Sequence, residues 1–96
     1  MVEYQTRITE HVDTVNRMLA QKKLPPLRMT DVARGADVPY SSLLRYANTK
    51  QTAPNYAFVD KVRLFLNGLL PRSEQFSDAS YLYIVEEIDP GQPAGV

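Results

Sequence analysis

The side chains that could perform catalysis or bind a metal are few in this sequence of 96 residues. There is no cysteine, which excludes disulfides, thiolate metal ligands and cysteine nucleophiles. His11 is the only histidine, and we expect it to be solvated on the polar shoulder of a first helix. The sequence contains neither a glycine-rich phosphate loop nor a metal-ligand spacing. We therefore expect no enzyme activity, no cofactor and no metal site.

The distribution of basic residues is more informative than their number. The formal net charge is zero, but residues 1–73 hold all 11 lysines and arginines against six acids, a net charge of +5. Residues 74–96 hold five acids and no base, a net charge of −5. A basic body with an acidic end is typical of a protein that contacts phosphates with one part of its surface. Carboxylates can bind a cation, but we expect solvation for the C-terminal acids Asp78, Glu86, Glu87 and Asp89.

The segment Pro39–Asn48 combines an apolar side with small polar side chains and is the strongest candidate for binding DNA. As a helix, its inner side would consist of Leu43, Tyr46 and Ala47. Its outer side would present Tyr40, Ser41, Leu44 and Arg45. A helix that enters the ~12 Å major groove needs an apolar inner face and donors near its N-terminus. Arg45 could donate two hydrogen bonds to guanine, while Leu44 either meets a thymine methyl or packs elsewhere.

Four helices are predicted to position these side chains. Apolar residues recur every three or four positions between Ile8 and Leu19, which predicts a first helix from Val2 or Thr6 to Lys22. The same spacing, with proline, asparagine and glycine at the ends, predicts three more helices. They extend from Arg28 or Met29 to Gly35, from Pro39 to about Asn48, and from Asn55 to Asn67.

The C-terminal segment changes character after the fourth helix. Leu69–Ser80 is polar and irregular, Tyr81–Val85 is rich in aromatic and β-branched residues, and Pro90–Val96 is expected to be a loose end. We predict a strand at Tyr81–Val85, apolar on both faces and therefore in need of a cover. The open alternatives are pairing with a second copy and packing on its own domain. In the packing alternative the segment is either a strand or a final helix that uses Tyr81, Ile84, Val85 and Ile88.

Two short helices joined by a tight turn predict a helix-turn-helix in Leu27–Asn48. This stretch resembles the phage-repressor and Cro-type (XRE-like) helix-turn-helix family. Leu27 matches the leading leucine of the family pattern, and Val32-Ala33 matches its Leu-Ala pair. Asp37-Val38-Pro39 lies at its Gly-Val-Ser turn, and Asn48-Thr49-Lys50 at its Asn-Gly-Lys end. The resemblance covers Arg17 to Leu66.

Three positions depart from the family pattern. Met29 lies where a phosphate-contacting glutamine is common, so Arg28 or Thr30 would have to make that contact. Asp37 replaces the turn glycine, and Thr49 replaces the glycine after Asn48. Because aspartate tolerates the left-handed conformation better than most residues, the turn is expected to persist. Either Gly35 or Asp37 could adopt the positive φ.

The resemblance implies a mainly α fold, a four- to five-helix repressor-like helix-turn-helix domain with a short C-terminal strand or helix extension. We place the domain in residues 1–70 and the acidic extension in residues 71–96. The resemblance implies a sequence-specific DNA-binding transcriptional regulator, a repressor, that acts on double-stranded DNA. The residues that would read bases are Tyr40, Ser41, Leu44 and Arg45. The residues that would bind phosphates are Arg28, Thr30, Ser42, Asn48 and Lys50.

One such motif reads only a few base pairs, so specificity normally comes from two-fold dimers. We predict a homodimer through the C-terminal segment, with Tyr81, Tyr83 and Val85 as contacts. The alternative functions are an antitoxin or adaptor that binds a protein partner through the acidic tail, and a helical interaction domain that does not bind DNA. No apolar run is long enough to cross a bilayer and no secretory signal is recognisable, so we expect a cytoplasmic protein without membrane contact.

Overall fold

The structure is a computed structural model and describes residues 2–85 of the chain. These residues form four α-helices and two short β-strands. The bounds are β1 Glu3–Thr6, α1 Ile8–Gln21, α2 Met29–Ala36, α3 Tyr40–Asn48, α4 Tyr56–Asn67 and β2 Leu82–Val85, with a 3-10 turn at Arg72–Glu74. The fold is therefore mainly helical with a small two-stranded sheet. The predicted loose end Pro90–Val96, the acidic residues Glu86, Glu87 and Asp89, and Ile88 of the alternative helix lie outside the described residues.

The helices predicted from apolar spacing are confirmed, apart from the start of the first. The helix α1 begins at Ile8, and the residues before it form β1, so the prediction of a helix from Val2 is wrong. Within β1, Thr6 is buried while its neighbour Gln5 is half-buried. The Thr6 hydroxyl donates to the Tyr46 carbonyl oxygen at 2.8 Å, which ties β1 to α3.

The predicted C-terminal strand is confirmed at Leu82–Val85, and the alternative of a helix there is wrong. The strand β2 pairs antiparallel with β1, with Glu3 opposite Val85 and Thr6 opposite Leu82. The Arg7 amide continues the ladder by donating to the Tyr81 carbonyl at 2.9 Å. Up to Val85, the C-terminal segment therefore pairs with β1 of its own chain.

A single apolar core joins all four helices to the segment that precedes β2. The apolar side chains with no exposed surface are Ile8, Val15, Val32, Leu43, Val62 and Leu66. Leu70 and Tyr81 complete the core after α4. Within residues 2–85, no helix is long and apolar enough to span a bilayer.

His11 lies inside this core, so the prediction that it is solvated is wrong. Its ring stacks on Phe76 with 4.2 Å between centroids, and Nδ1 lies 2.8 Å from the Tyr81 hydroxyl oxygen. Ile8 and Val15 are three residues before and four residues after His11, which places it on the buried stripe of α1. The histidine is therefore a structural residue of the core.

The turn between α2 and α3 uses Asp37, at φ 57° and ψ 53°, as its left-handed residue. Gly35 has another role, because a Cβ built on it would lie 2.2 Å from the Phe65 ring of α4. The absence of a side chain at Gly35 thus lets α2 approach α4 closely.

Candidate nucleic-acid interface

The helix pair α2–α3 has well-defined ends. Asp31 accepts a hydrogen bond from the Arg28 amide at 2.9 Å, which satisfies a donor at the start of α2. At the other end, the Val38 amide donates to the Ala33 carbonyl at 2.9 Å after the left-handed residue Asp37. Pro39 then precedes the first residue of α3 with extended backbone geometry. The connection between the two helices is therefore short and fixed by hydrogen bonds.

The structure buries the predicted inner side of α3 and exposes the predicted outer side except Leu44. Leu43, Tyr46 and Ala47 are buried in the core. The exposed residues are Tyr40, Ser41, Arg45 and Asn48, whereas Ser42 and Leu44 are half-buried. The solvent-facing side of α3 thus carries hydroxyl, guanidinium and amide groups.

Leu44 lies in a groove of about 360 Å³ beside this surface. The groove brings together three predicted site residues, Arg28, Leu44 and Asn48, which lie at the start of α2 and on α3. Its α1 wall consists of Thr9, Val12, Asp13 and Asn16. This position agrees with the alternative that Leu44 packs within the protein instead of meeting a thymine methyl. The contribution of α1 to the groove was not predicted from the sequence.

Asn16 of α1 fixes the chain that enters α2. Its Oδ1 accepts from the Leu27 amide at 2.6 Å, and its Nδ2 donates to the Leu27 carbonyl at 3.1 Å. Both backbone groups of Leu27 are thereby satisfied by one side chain, just before the start of α2. An asparagine in a helix gives no sequence signal for such a contact, because the partner is a backbone group 11 residues away.

The loop after α3 is held from two directions. The Thr49 hydroxyl donates to the Arg45 carbonyl at 2.6 Å, which anchors the loop to α3. The Gln51 backbone exchanges two hydrogen bonds with Tyr4 of β1, at 2.7 and 2.8 Å. Lys50 lies exposed between these anchors. The strand β1, which the sequence analysis missed, therefore contributes to the position of a predicted phosphate-binding residue.

The bases near α2 and α3 carry unpaired positive charge within the described part of the chain. The two ion pairs between residues 2 and 85 are Arg7–Glu10, at 2.6 Å, and Arg63–Asp60, at 3.5 Å. None of the seven bases between Arg17 and Lys50 takes part in either pair. Arg45 lies near its neighbour Tyr46, with 5.7 Å between the guanidinium carbon and the ring centroid. Arg45 is exposed to solvent.

The predicted dimer contacts have different environments. Tyr81 is 1% exposed and packs against His11, so the prediction that it lies at a surface is wrong. Tyr83 is 44% exposed and Val85 is half-buried. Ile84, which the sequence analysis did not single out for this role, is 63% exposed. The accessible apolar surface of β2 thus consists mainly of Tyr83 and Ile84.

The surface around α3 is chemically suited to an anionic, hydrogen-bonding ligand. It presents the cations Arg28, Arg45 and Lys50 beside the hydroxyl of Ser41 and the amide of Asn48. No group of three or more metal-ligating side chains is assembled within residues 2–85. No family model, curated protein or solved structure matches the chain.

Proposed function

We propose that the protein is a sequence-specific DNA-binding regulator in which α2 and α3 form a helix-turn-helix of the phage-repressor type. In this proposal α3 enters the major groove and the protein acts as a transcriptional repressor. The observation that carries the proposal is the division of α3 into a buried side and a solvent-facing side with Ser41, Arg45 and Asn48. A helix with this division can expose donors to base edges while its other side stays in the core.

Each exposed residue has a role that follows from its chemistry. Arg45 donates two hydrogen bonds to guanine, and Tyr40 and Ser41 contact neighbouring base edges. Leu44 forms the wall of the groove beside α1 and supports the outer side of α3. The remaining contacts are made to phosphates, which position the helix without reading sequence. They involve Arg28, Thr30, Ser42, Asn48 and Lys50.

Substitution of Arg45 tests the base-reading role. We expect Arg45→Ala to weaken binding to the selected operator about tenfold and to relax the preference at one base pair. The control is Arg72→Ala, which removes the same charge from an exposed position in the 3-10 turn after α4. Fluorescence anisotropy with the operator and with single-base variants gives both quantities. Equal, sequence-independent losses in the two variants would contradict a base contact by Arg45.

Dimerisation through β2 completes the proposal, because a pair of half-sites supplies the specificity that one motif lacks. One edge of β2 is paired with β1. Tyr4 of β1 directs its N–H and C=O away from β2, to Gln51. In the antiparallel pattern its partner Ile84 therefore directs its own N–H and C=O away from β1, and so does Leu82, two residues earlier. These groups lie at the outer edge of β2. A two-fold axis at Tyr83 would then pair Leu82 with Ile84 of a second copy and form a four-stranded sheet.

The N–H of Ile84, which has no backbone partner among residues 2–85, gives a specific test of this dimer. We expect Ile84→Pro to shift the dimer to monomer, because proline removes a donor at the open edge while the bonds to β1 remain. Ile84→Val keeps the N–H and is expected to remain dimeric. Sedimentation velocity measures both. An unchanged dimer in Ile84→Pro would show that β2 does not pair with its copy.

A further inference from the structure

The chain on both sides of Lys50 is fixed by hydrogen bonds, and this arrangement extends to β1. Before Lys50, Thr49 is bonded to the last turn of α3 through its hydroxyl and its amide, at 2.6 and 2.9 Å from the Arg45 carbonyl. After Lys50, the Gln51 side-chain amide donates to the Thr49 hydroxyl at 3.0 Å. The same amide group lies 3.4 Å from the Arg45 carbonyl oxygen. Gln51 thus connects the loop to α3 by its side chain.

The backbone of Gln51 connects the same loop to the sheet. Its N–H donates to the Tyr4 carbonyl at 2.8 Å, and its C=O accepts from the Tyr4 amide at 2.7 Å. β1 in turn is held by its pairing with β2 and by the bond from Thr6 to Tyr46 of α3. The loop, β1 and α3 therefore form one closed set of contacts around an exposed lysine.

We propose that Gln51 and β1 act as a clamp that positions Lys50 for contact with a DNA phosphate. The clamp rests on the proposed DNA-binding function and adds positioning residues to it, Gln51 and Tyr4, which themselves need not touch DNA. A flexible loop would lose conformational entropy when its lysine met a phosphate. A loop held by Thr49 and Gln51 is already ordered, so less conformational entropy is lost when Lys50 binds the phosphate.

A double-mutant cycle on Lys50 and Gln51 tests the clamp. Lys50→Gln removes one phosphate contact, so the slope of log Kd against log salt concentration should fall by about 0.9. Gln51→Ala should weaken binding at every salt concentration with an unchanged midpoint of thermal unfolding, because its side-chain bonds are exposed. The double variant should bind as Lys50→Gln alone does. Lys61→Gln, at an exposed position in α4, is the charge-matched control.

A second pair of variants tests the contribution of β1. Tyr4→Pro and Tyr4→Ala both remove the side chain, but only proline also removes the N–H that bonds to Gln51. We expect the proline variant to bind DNA more weakly than the alanine variant. If the wild-type protein binds DNA but the losses at Lys50 and Gln51 are additive, or the two Tyr4 variants bind equally well, the clamp alone is overturned. A wild-type protein that does not bind DNA would overturn the proposed function, and the clamp with it.

Discussion

The free energy of unfolding is expected to fall by up to about 3 kcal/mol between pH 6.5 and pH 4, because folding keeps His11 in its neutral form. Burial is the main cause and lowers the pKa of His11 to about 4. The positive charges of Arg63 and Arg7 lower it further. The unfolded chain binds the proton at its ordinary pKa of about 6.5, so protons favour unfolding throughout this interval. The stability that the protein gains by keeping His11 neutral is therefore complete above about pH 6.5, and it is lost as the pH falls through the folded pKa of His11.

Two measurements on His11 check this prediction. Urea unfolding at a series of pH values gives the slope of stability against pH, which His11→Gln should flatten between about pH 5 and 6.5. The pKa of Glu10, the neighbouring acid, is shifted downward by its hydrogen bond to Arg7, away from this interval. Because His11 is the only histidine, its imidazole proton resonances can be followed by NMR in the wild-type protein. An imidazole that titrates at its ordinary pKa would contradict the burial of His11.

The second large effect is expected at Gly35, where α2 meets α4. Gly35→Ala should destabilise the protein by about 2 kcal/mol, because the added Cβ would lie 2.2 Å from the Phe65 ring. Either the ring leaves its place in the core or the two helices separate. In a domain of this size, a loss of about 1 kcal/mol lowers the melting temperature by about 4–8 °C. Calorimetry should therefore detect the substitution readily.

Two controls separate this clash from a general effect of replacing glycine. At Gly68 a Cβ would meet its nearest atom at 3.3 Å, and the backbone has ordinary right-handed helical angles, so Gly68→Ala should change stability little. Phe65→Leu replaces the ring with a smaller side chain, and in this background Gly35→Ala should reduce the stability of the protein less. A Gly35→Ala variant as stable as Gly68→Ala would show that α2 and α4 are not in close contact there.

Local periodicity was sufficient to predict most of the helical framework. The apolar residues of α2, α3 and α4 lie three or four positions apart and define helices whose ends agree with the structure within about two residues. Asp37 could be predicted as a turn residue because aspartate tolerates positive φ. The polar character of His11 predicts solvation, whereas its position between Ile8 and Val15 on the buried stripe of α1 predicts burial, and position decides.

The contacts that the sequence did not reveal depend on partners far away in the chain. The strand β1 is stable because it pairs with β2, almost 80 residues later. In the sequence, the alternation of Val2, Tyr4 and Thr6 is too short to indicate a strand by itself. The roles of Asn16 and Gln51 come from bonds to backbone groups that only the folded chain brings near. The exposed donors of the candidate interface were predictable, whereas the residues that hold them in place were not.

The measurement that tests the central proposal most directly is the binding of the protein to random duplex DNA by fluorescence anisotropy between ~50 and ~200 mM salt. We expect an affinity that falls steeply, linearly in log Kd against log salt concentration, because Arg28, Lys50 and their neighbours displace counterions from phosphates. The slope should decrease in Lys50→Gln and stay unchanged in Lys61→Gln. Absence of binding at the lowest salt concentration would contradict the proposal that α2 and α3 form a DNA-binding surface.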